Sequence, residues 1–362
     1  MLKRIDRYII GKYLRTFLFS ILIFTAIALV IDFSEKVSKF IEKPITVGYI
    51  LRHYYVPFIP WINSLLFPIY ALITVIFVSS RMAFNAEVIS ILGAGVSFRR
   101  YLRPYIIAAS IVAIFHLFAN HIWIPIGNQT LKPFENEYVS SRHIKNKSRH
   151  VHVFISPDTK VYVRYFRNRD TTGTDFRLEK FDGTELVEVI SAKTIEWLRP
   201  PNNWRLRGYE VHRFKDSVET LEFFPRGKLD TAFNLVPDDF VWVANEKEMM
   251  TTNDLVRFMK KEQEKGLTPT KSYSIEMHRR TAEPVTIIIL TILGASIASR
   301  KVRGGMGVHL AVGVIVGAVF IFLSKFAITF ATNPSVPAML GVWIPNIIFT
   351  GITIYFLMRA QQ

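Results

Sequence analysis

The sequence predicts a polytopic α-helical membrane protein with six spans, three before and three after an inserted antiparallel β domain. Two observations carry that prediction. Apolar runs cover Leu14 to Ile31, Tyr55 to Ser79 and Tyr101 to Trp123, then Thr281 to Ser299, Gly307 to Ala331 and Met339 to Met358. Each run is near the ~20 residues that carry a helix across ~30 Å of hydrocarbon. Backbone groups in lipid must be satisfied within the span, which leaves six helices as the economical reading. Between the two triplets, residues 124–280 are polar and alternate in the manner of strands. The chain therefore divides into 1–123, 124–280 and 281–362.

Composition agrees. Half of the 362 residues are hydrophobic, and the mean hydropathy is +0.24, as expected for lipid-embedded spans joined to a polar domain. There is no cysteine, so disulfides and thiolate metal sites are excluded. The net charge is +16 and unevenly placed. Lys3, Arg4, Arg7, Lys12 and Arg15 precede the first span, and Arg81, Arg99, Arg100 and Arg103 lie between spans two and three. Arg300, Lys301 and Arg303 lie between spans four and five, and Arg359 is in the tail. With six spans these segments share one side, and Thr332 to Ala338, on the other side, is uncharged. The loop after span one, with Lys36, Lys39, Lys43 and Arg52, is the exception. The positive-inside rule then puts both termini in the cytoplasm and the β domain outside. The basic excess reflects topology and anionic lipid, and no nucleic-acid partner is expected.

Span one follows a basic stretch and has the small pair Ala26 and Ala28, like a secretory signal. Leu29 to Ile31 continue the apolar run, so an uncleaved first helix is expected. Span two opens with Pro57 and Pro60 and has Pro68 inside, which predicts a kink. In the loop that follows, Val88, Ile91, Leu92 and Val96 recur at helical spacing and Gly95 stands where a C-cap would. A short amphipathic helix over about 84–96, lying at the membrane surface, fits. A polar run from Pro125 to Arg149 leads into strands at His150–Ile155, Lys160–Phe166, Phe176–Phe181, Glu185–Trp197, Trp204–Phe214 and Val218–Phe224. Turn residues at Pro157-Asp158, Asp170–Gly173, Asp182-Gly183 and Pro200–Asn203 separate them. Successive hairpins imply an antiparallel sandwich, jelly roll or barrel. A helix over Asn253 to Lys265 ends at Gly266, and Ser272 to Glu283 run helically into span four.

No Walker A loop occurs, so the chain has no such route to ATP hydrolysis. HExxH, GxSxG and SxxK are also absent, and no catalytic residues are assigned. His150 and His152 share a strand face, and His116 and His121 sit five apart on span three. Neither pair has a third ligand nearby in sequence, so packing or surface roles are favoured over a metal. Glu87 is the lone carboxylate of a basic and apolar loop, either a solvated position or a docking point for a partner's Arg or Lys. Lys325 lies about one and a half helical turns before the outer end of span five. It either snorkels to the interface or faces an internal cavity. Lys36, Lys39 and Lys43 either anchor the interface or bind a phosphorylated lipid. Paired broken helices or intramembrane acids, the marks of a secondary transporter, are not expected.

Phe67-Pro68, then Glu87-Val-Ile-Ser-Ile-Leu-Gly-Ala-Gly95, are similar to the Pro, Glu and small-x-Gly run of the lipopolysaccharide export permeases LptF and LptG. Ile5-Asp6-Arg7-Tyr8-Ile9 and Trp343-Ile-Pro345-Asn346 resemble that family too, and the opening and tail lean towards LptG. The resemblance covers the whole chain. It implies three helices, a periplasmic β-jelly roll and three more helices in a bacterial inner membrane. It also implies half of an ABC transporter without its own ATPase. Such permeases pair as an LptF–LptG heterodimer on an LptB-type ATPase dimer and extract lipopolysaccharide, which the jelly roll hands to an LptC-type protein. ATP is then bound by the partner and no cofactor by this chain. Carried over by position, Glu87, Val88, Ile91, Leu92 and Gly95 would seat on the ATPase. Glu35, Lys36 and Lys39 would meet the lipid head group, although Asp32 stands where the family often has a cation. Lys325, on its cavity-facing reading, is counted with them as substrate-binding. A mechanotransmission ABC protein and a non-transport periplasmic scaffold are the competing readings.

Overall fold

The computed structural model describes residues 3–139, 149–167, 169–199, 202–215, 218–240, 246–264, 271–300, 302, 305–333 and 335–360. They form two compact units, one of 1–139, 247–255 and 270–362 and one of 140–246 and 256–269.

The first unit holds six helices long and apolar enough to cross a membrane. They are α1 (Arg4–Ile41), α2 (Val47–Phe84), α4 (Phe98–Val139), α6 (Lys271–Ala298), α7 (Gly305–Ala331) and α8 (Ala338–Ala360). The short α3 (Glu87–Gly93) joins α2 to α4. In α2 and α6, 61% of the most apolar stretch is buried, against 11% in α1 and 22% in α7. Thus α2 and α6 form the centre, and α1 and α7 lie at its margin with most of their apolar surface outward.

Close approach of the central helices depends on glycine. A Cβ at Gly294 of α6 would come within 2.5 Å of Val75 Cγ1, and one at Gly313 of α7 within 2.5 Å of Ile76 Cδ1. Small residues of this kind let backbones pack where water supplies no driving force between helices. Polar pairs add directional contacts. Tyr13 and Thr291 lie 3.0 Å apart, and Thr286 donates to Asn346 Oδ1 at 2.7 Å.

Four helices, α1, α2, α4 and α6, run well beyond the apolar spans. The largest departure is α4, which passes the expected boundary at Trp123 and continues to Val139. Residues from Pro125 were expected to be a polar connection, and this is corrected. Leu131 and Phe134 pack with Phe40, Tyr54 and Phe58 in a separate apolar cluster, and that burial outweighs the local proline signal. The prolines are accommodated by wide π turns at Leu51–Tyr55 and Ala119–Trp123, just ahead of Pro57 and Pro125. Such turns relieve the clash of a proline ring with the carbonyl four residues back.

The second unit is a six-stranded antiparallel meander in the order β1-β2-β3-β4-β5-β6. Its strands are β1 (Arg149–Ser156), β2 (Thr159–Arg167), β3 (Thr172–Asp182), β4 (Glu185–Arg199), β5 (Asn203–Lys215) and β6 (Val218–Ala232). All six expected strands are present. The strands form one sheet, and that sheet curls. Phe166 of β2 and Trp204 of β5 are three strand spacings apart, roughly 14 Å across a flat sheet, yet their rings lie 6.4 Å apart. Phe233, Leu235 and Phe240 complete the enclosed core, and Trp204 Nε1 donates to the Leu235 carbonyl at 3.0 Å.

β6 extends eight residues past the expected Phe224. Pro225 reads as a stop, but β6 is an edge strand, where a missing N–H costs little. A bulge between Arg207 and Tyr209, with Gly208 at φ +61°, absorbs the irregularity. The turn at Pro200–Asn203 and the C-cap at Gly266 lie partly or wholly outside the described residues. The helix before Gly266 is α5 (Thr252–Glu264), and Thr251 Oγ1 accepts from the Asp254 N–H at 3.4 Å.

Replacing Gly294 by Val should overpack the α2–α6 contact and cost about 1–3 kcal/mol. A thermal melt in mild detergent should show Gly294→Val unfolding well below Gly11→Ala, since a Cβ at Gly11 meets nothing within 4 Å.

Candidate functional site

The sequence-predicted residues fall at the two opposite ends of the bundle. At the end that carries both termini, α3 is bounded by two left-handed residues, Ala86 at φ +60° and Gly95 at φ +80°. These sharp reversals make it a separate short helix instead of a continuation of α2, and Gly95 closes it as expected. Glu87 opens α3 and is held by the first helix. Lys12 Nζ lies 3.1 Å from Glu87 Oε1 and 3.2 Å from Oε2, and the Tyr8 hydroxyl donates to Oε2 at 3.0 Å. Burial opposes ionisation of Glu87, but Lys12 and Tyr8 outweigh it and hold its carboxyl below the usual range.

The apolar residues of α3 divide between two faces. Val88 is 1% exposed, and Ile91 and Leu92 pack against the same core. They fasten α3 to its own bundle. Val88 is wholly taken up by this packing, whereas Ile91 and Leu92 stay half-buried. Ile89 is 57% exposed and Gly93 to Gly95 are open, so the outward face of α3 is nearly flat, with one apolar residue. Behind α3, Arg100 grips Asp6 through two parallel hydrogen bonds of 2.7 Å, with Asp6 buried.

At the opposite end, the expected head-group residues are in three different states. Glu35 is exposed. Lys36 is partly buried against the buried Asp32 and Tyr54. The Tyr54 hydroxyl also donates to both Asp32 oxygens, at 2.9 and 3.0 Å. Lys39 donates to the Val139 carbonyl at 2.8 Å. Lys325 is exposed and borders a cavity of about 160 Å³ together with Phe320, Arg279, Glu283 and Asn346. The four expected residues therefore do not converge on one point.

The charged start of α6 was missed. Glu276 and Arg280 are buried, and the Arg280 Nε donates to Glu276 at 3.0 Å. The guanidinium of Arg280 also donates to the carbonyls of Met250 and Lys247, each at 2.9 Å. Arg279 pairs with Glu283 at 2.7 Å, and Asn120 donates to Glu283 at 3.0 Å. Ser64 donates to Asn120 Oδ1 at 2.6 Å and lies 3.1 Å from His116 Nε2. This buried charge cluster at the start of α6 was not expected. Glu276 and Glu283, seven apart with Arg279 and Arg280 between them, carry the signal in hindsight, since two helical turns place them on one face. Among the described residues no cluster of three potential metal ligands occurs; His116, His121 and His150 make hydrogen bonds to Ser64, Thr252 and Tyr162, and the His152 ring lies 4.8 Å from that of Tyr162.

The family model of the lipopolysaccharide export system permease LptF/LptG matches residues 7–359. The chain belongs to the LptF/LptG permease family. A search of curated proteins returned no match. Family membership makes the chain a multi-pass transport permease for lipopolysaccharide, not an enzyme. The six helices and the β domain inserted between the third and fourth spans agree with that membership.

Within this permease, the Glu87 charge belongs to a cluster whose pH response has a definite sign. A carboxyl held below its ordinary value of 4.5 contributes stability that is complete above that value. The contribution is lost as pH falls through the lower folded value. Replacing Lys12 by Met should move the Glu87 titration upwards, which carbon-13 NMR of a glutamate-labelled sample would follow, with Glu87→Gln to assign the signal.

Proposed function

We propose that the chain is one membrane subunit of an ABC transporter that extracts lipopolysaccharide from the outer leaflet of the inner membrane. In this reading it pairs with a paralogous permease, sits on an LptB-type ATPase dimer and passes lipid through its β-jelly roll to an LptC-type protein. ATP is bound and hydrolysed by the partner. Both termini and α3 are cytoplasmic, and the curled sheet is periplasmic, in accordance with the positive-inside count.

The single observation that supports this most is α3 itself. A seven-residue helix carries one carboxylate, Glu87, at its start and one exposed apolar residue, Ile89, on a flat outward face. This suits a shallow groove that carries a cation on a soluble partner. The coupling residues are then Glu87, Ile89 and Gly95, with Val88, Ile91 and Leu92 acting as the inner fastening. Head-group contact is assigned to Glu35, Lys36, Lys39 and Lys325.

The division of labour is physically sensible. Removing a lipid chain from the bilayer into water costs ~0.8 kcal/mol per CH₂. Several acyl chains therefore need cover throughout, and the apolar margins of α1 and α7, followed by a curled sheet, supply surfaces of the right kind.

The test is purification from native membranes in mild detergent with mass spectrometry of whatever remains bound. A soluble ABC ATPase, a second six-span paralogue and lipopolysaccharide are expected. Replacing Ile89 by Asp should reduce ATPase recovery at least tenfold without lowering the permease melting temperature. Glu87→Ala should likewise reduce ATPase recovery, without unfolding the permease. Wild-type recovery of the ATPase with both variants would refute the docking role.

A further inference from the structure

α3 is covalently joined to α2 and α4, yet its charged contacts run to α1. Lys12 and Tyr8 hold Glu87 at the start of α3, and Asp6 holds Arg100, just beyond its end. The two grips are independent, since they use different residues of α1 on either side of the short helix. Lys12 Nζ also lies 4.2 Å from the centroid of the Tyr8 ring, which fixes the ammonium beside the hydroxyl that shares Glu87. Between the grips, Ile9 is fully buried, and Ile9, Ile91, Val96 and Tyr101 wall a pocket of about 140 Å³.

The rest of α1 is held along one side only. Ile9, Tyr13 and Phe17 are buried near its start, Ser20, Phe24 and Thr25 contact Thr74, Tyr70 and Asn63 of α2, and Asp32 and Phe40 are buried near its finish, while Leu18, Phe19, Leu22, Ile27 and Val30 are exposed. A helix with one face packed and the other outward can shift against its neighbour when its start is pushed. Isolated surface ion pairs usually contribute little to stability. The Asp6–Arg100 pair differs, because Asp6 is buried and the contact is bidentate, a geometry that also fixes orientation.

We propose that Lys12 is a positioning residue which, with Tyr8 and the Asp6–Arg100 pair, ties α3 to α1. Displacement of α3 by the ATPase then moves the first membrane helix as well as α2 and α4. This rests on the proposed function for the identity of what pushes α3, but the tie itself does not.

The absence of cysteine permits a direct test of the tie. Spin labels at Ile5→Cys and Ile89→Cys, both exposed positions, report the α1–α3 distance by pulsed electron resonance on the full chain. A single narrow distribution is expected, broadened by Lys12→Met and restored by Lys12→Arg. A distribution unchanged by Lys12→Met, and by Tyr8→Phe combined with Arg100→Lys, would overturn the tie. The second measurement uses the reconstituted complex with its ATPase and paralogue. Lipid delivered per ATP hydrolysed should fall at least tenfold in Lys12→Met and recover in Lys12→Arg, and an unchanged ratio would overturn the transmission. If the wild-type complex binds no ATPase, the proposed function fails while the distance measurement still decides the tie.

Discussion

A charge that leaves water must bring its partner with it, and the placement of ionisable groups in this permease follows from that cost. An unpaired buried charge is expensive enough that it neutralises or is not found. Here the buried charged residues of the membrane unit lie towards the two ends of the bundle, each beside an opposite charge. Asp6 has Arg100, Glu87 has Lys12, Asp32 has Lys36, and Glu276 and Glu283 share Arg279 and Arg280. The middle of the bundle is left to glycine, hydroxyl and amide contacts, which can satisfy their own partners locally. Helix ends thereby become the places where segments distant in sequence are tied together. Lys247 and Met250 are drawn to α6 by Arg280, and α3 is drawn to α1 by Lys12.

This explains which parts of the molecule the sequence discloses. The six spans are legible because lipid imposes length and hydropathy on each separately, and the strands because alternation and turn residues are local. The α4 extension was hidden because Pro125 and Pro133 are local signals, whereas burial of Leu131 and Phe134 against Phe40 and Tyr54 is not. The polarity of α3 was hidden for a related reason. Periodicity shows that Val88, Ile91 and Leu92 share a face but not what that face meets. In a soluble helix the apolar face points to the core, and so it does here. The exposed Ile89 lies off that face and carries no periodic signal.

The β domain shows how a meander encloses a core without a second sheet. Six sequential strands have low topological demands, since each hairpin forms next to its predecessor. Curling brings β2 within ring contact of β5 and buries Trp204 completely. Gly173 marks where the curl is tight, because a Cβ there would lie 2.7 Å from Ile195 and 2.9 Å from Val163. The segment from Phe233 to Phe240 then lies over the same core, with Phe240 stacked on Phe166 at 4.8 Å. The apolar interior is thus filled by the chain itself. A lipid that used this interior would have to replace contacts already made, and exchange of one apolar contact for another carries a far smaller cost than exposure to water.

The same logic of exchange applies to the head-group residues in the proposed function. Lys36 is not a free cation: Asp32 and Tyr54 already satisfy it. An anionic head group approaching Lys36 must compete with a buried carboxylate at hydrogen-bond distance, so binding there implies displacement, not simple addition. Lys325 differs, being exposed beside a cavity whose other charged members, Arg279 and Glu283, are paired with each other. An incoming anion meets Lys325 without breaking an existing bond. On the proposed function, an anionic head group would meet Lys325 first and reach Lys36 only by displacing Asp32, with Lys39 still occupied by the Val139 carbonyl. Displacing Asp32, on the same helix whose start is tied to α3, would free its contact with Tyr54. In that reading lipid and ATPase would bear on the two ends of α1, which gives the two sites a physical means of sensing each other.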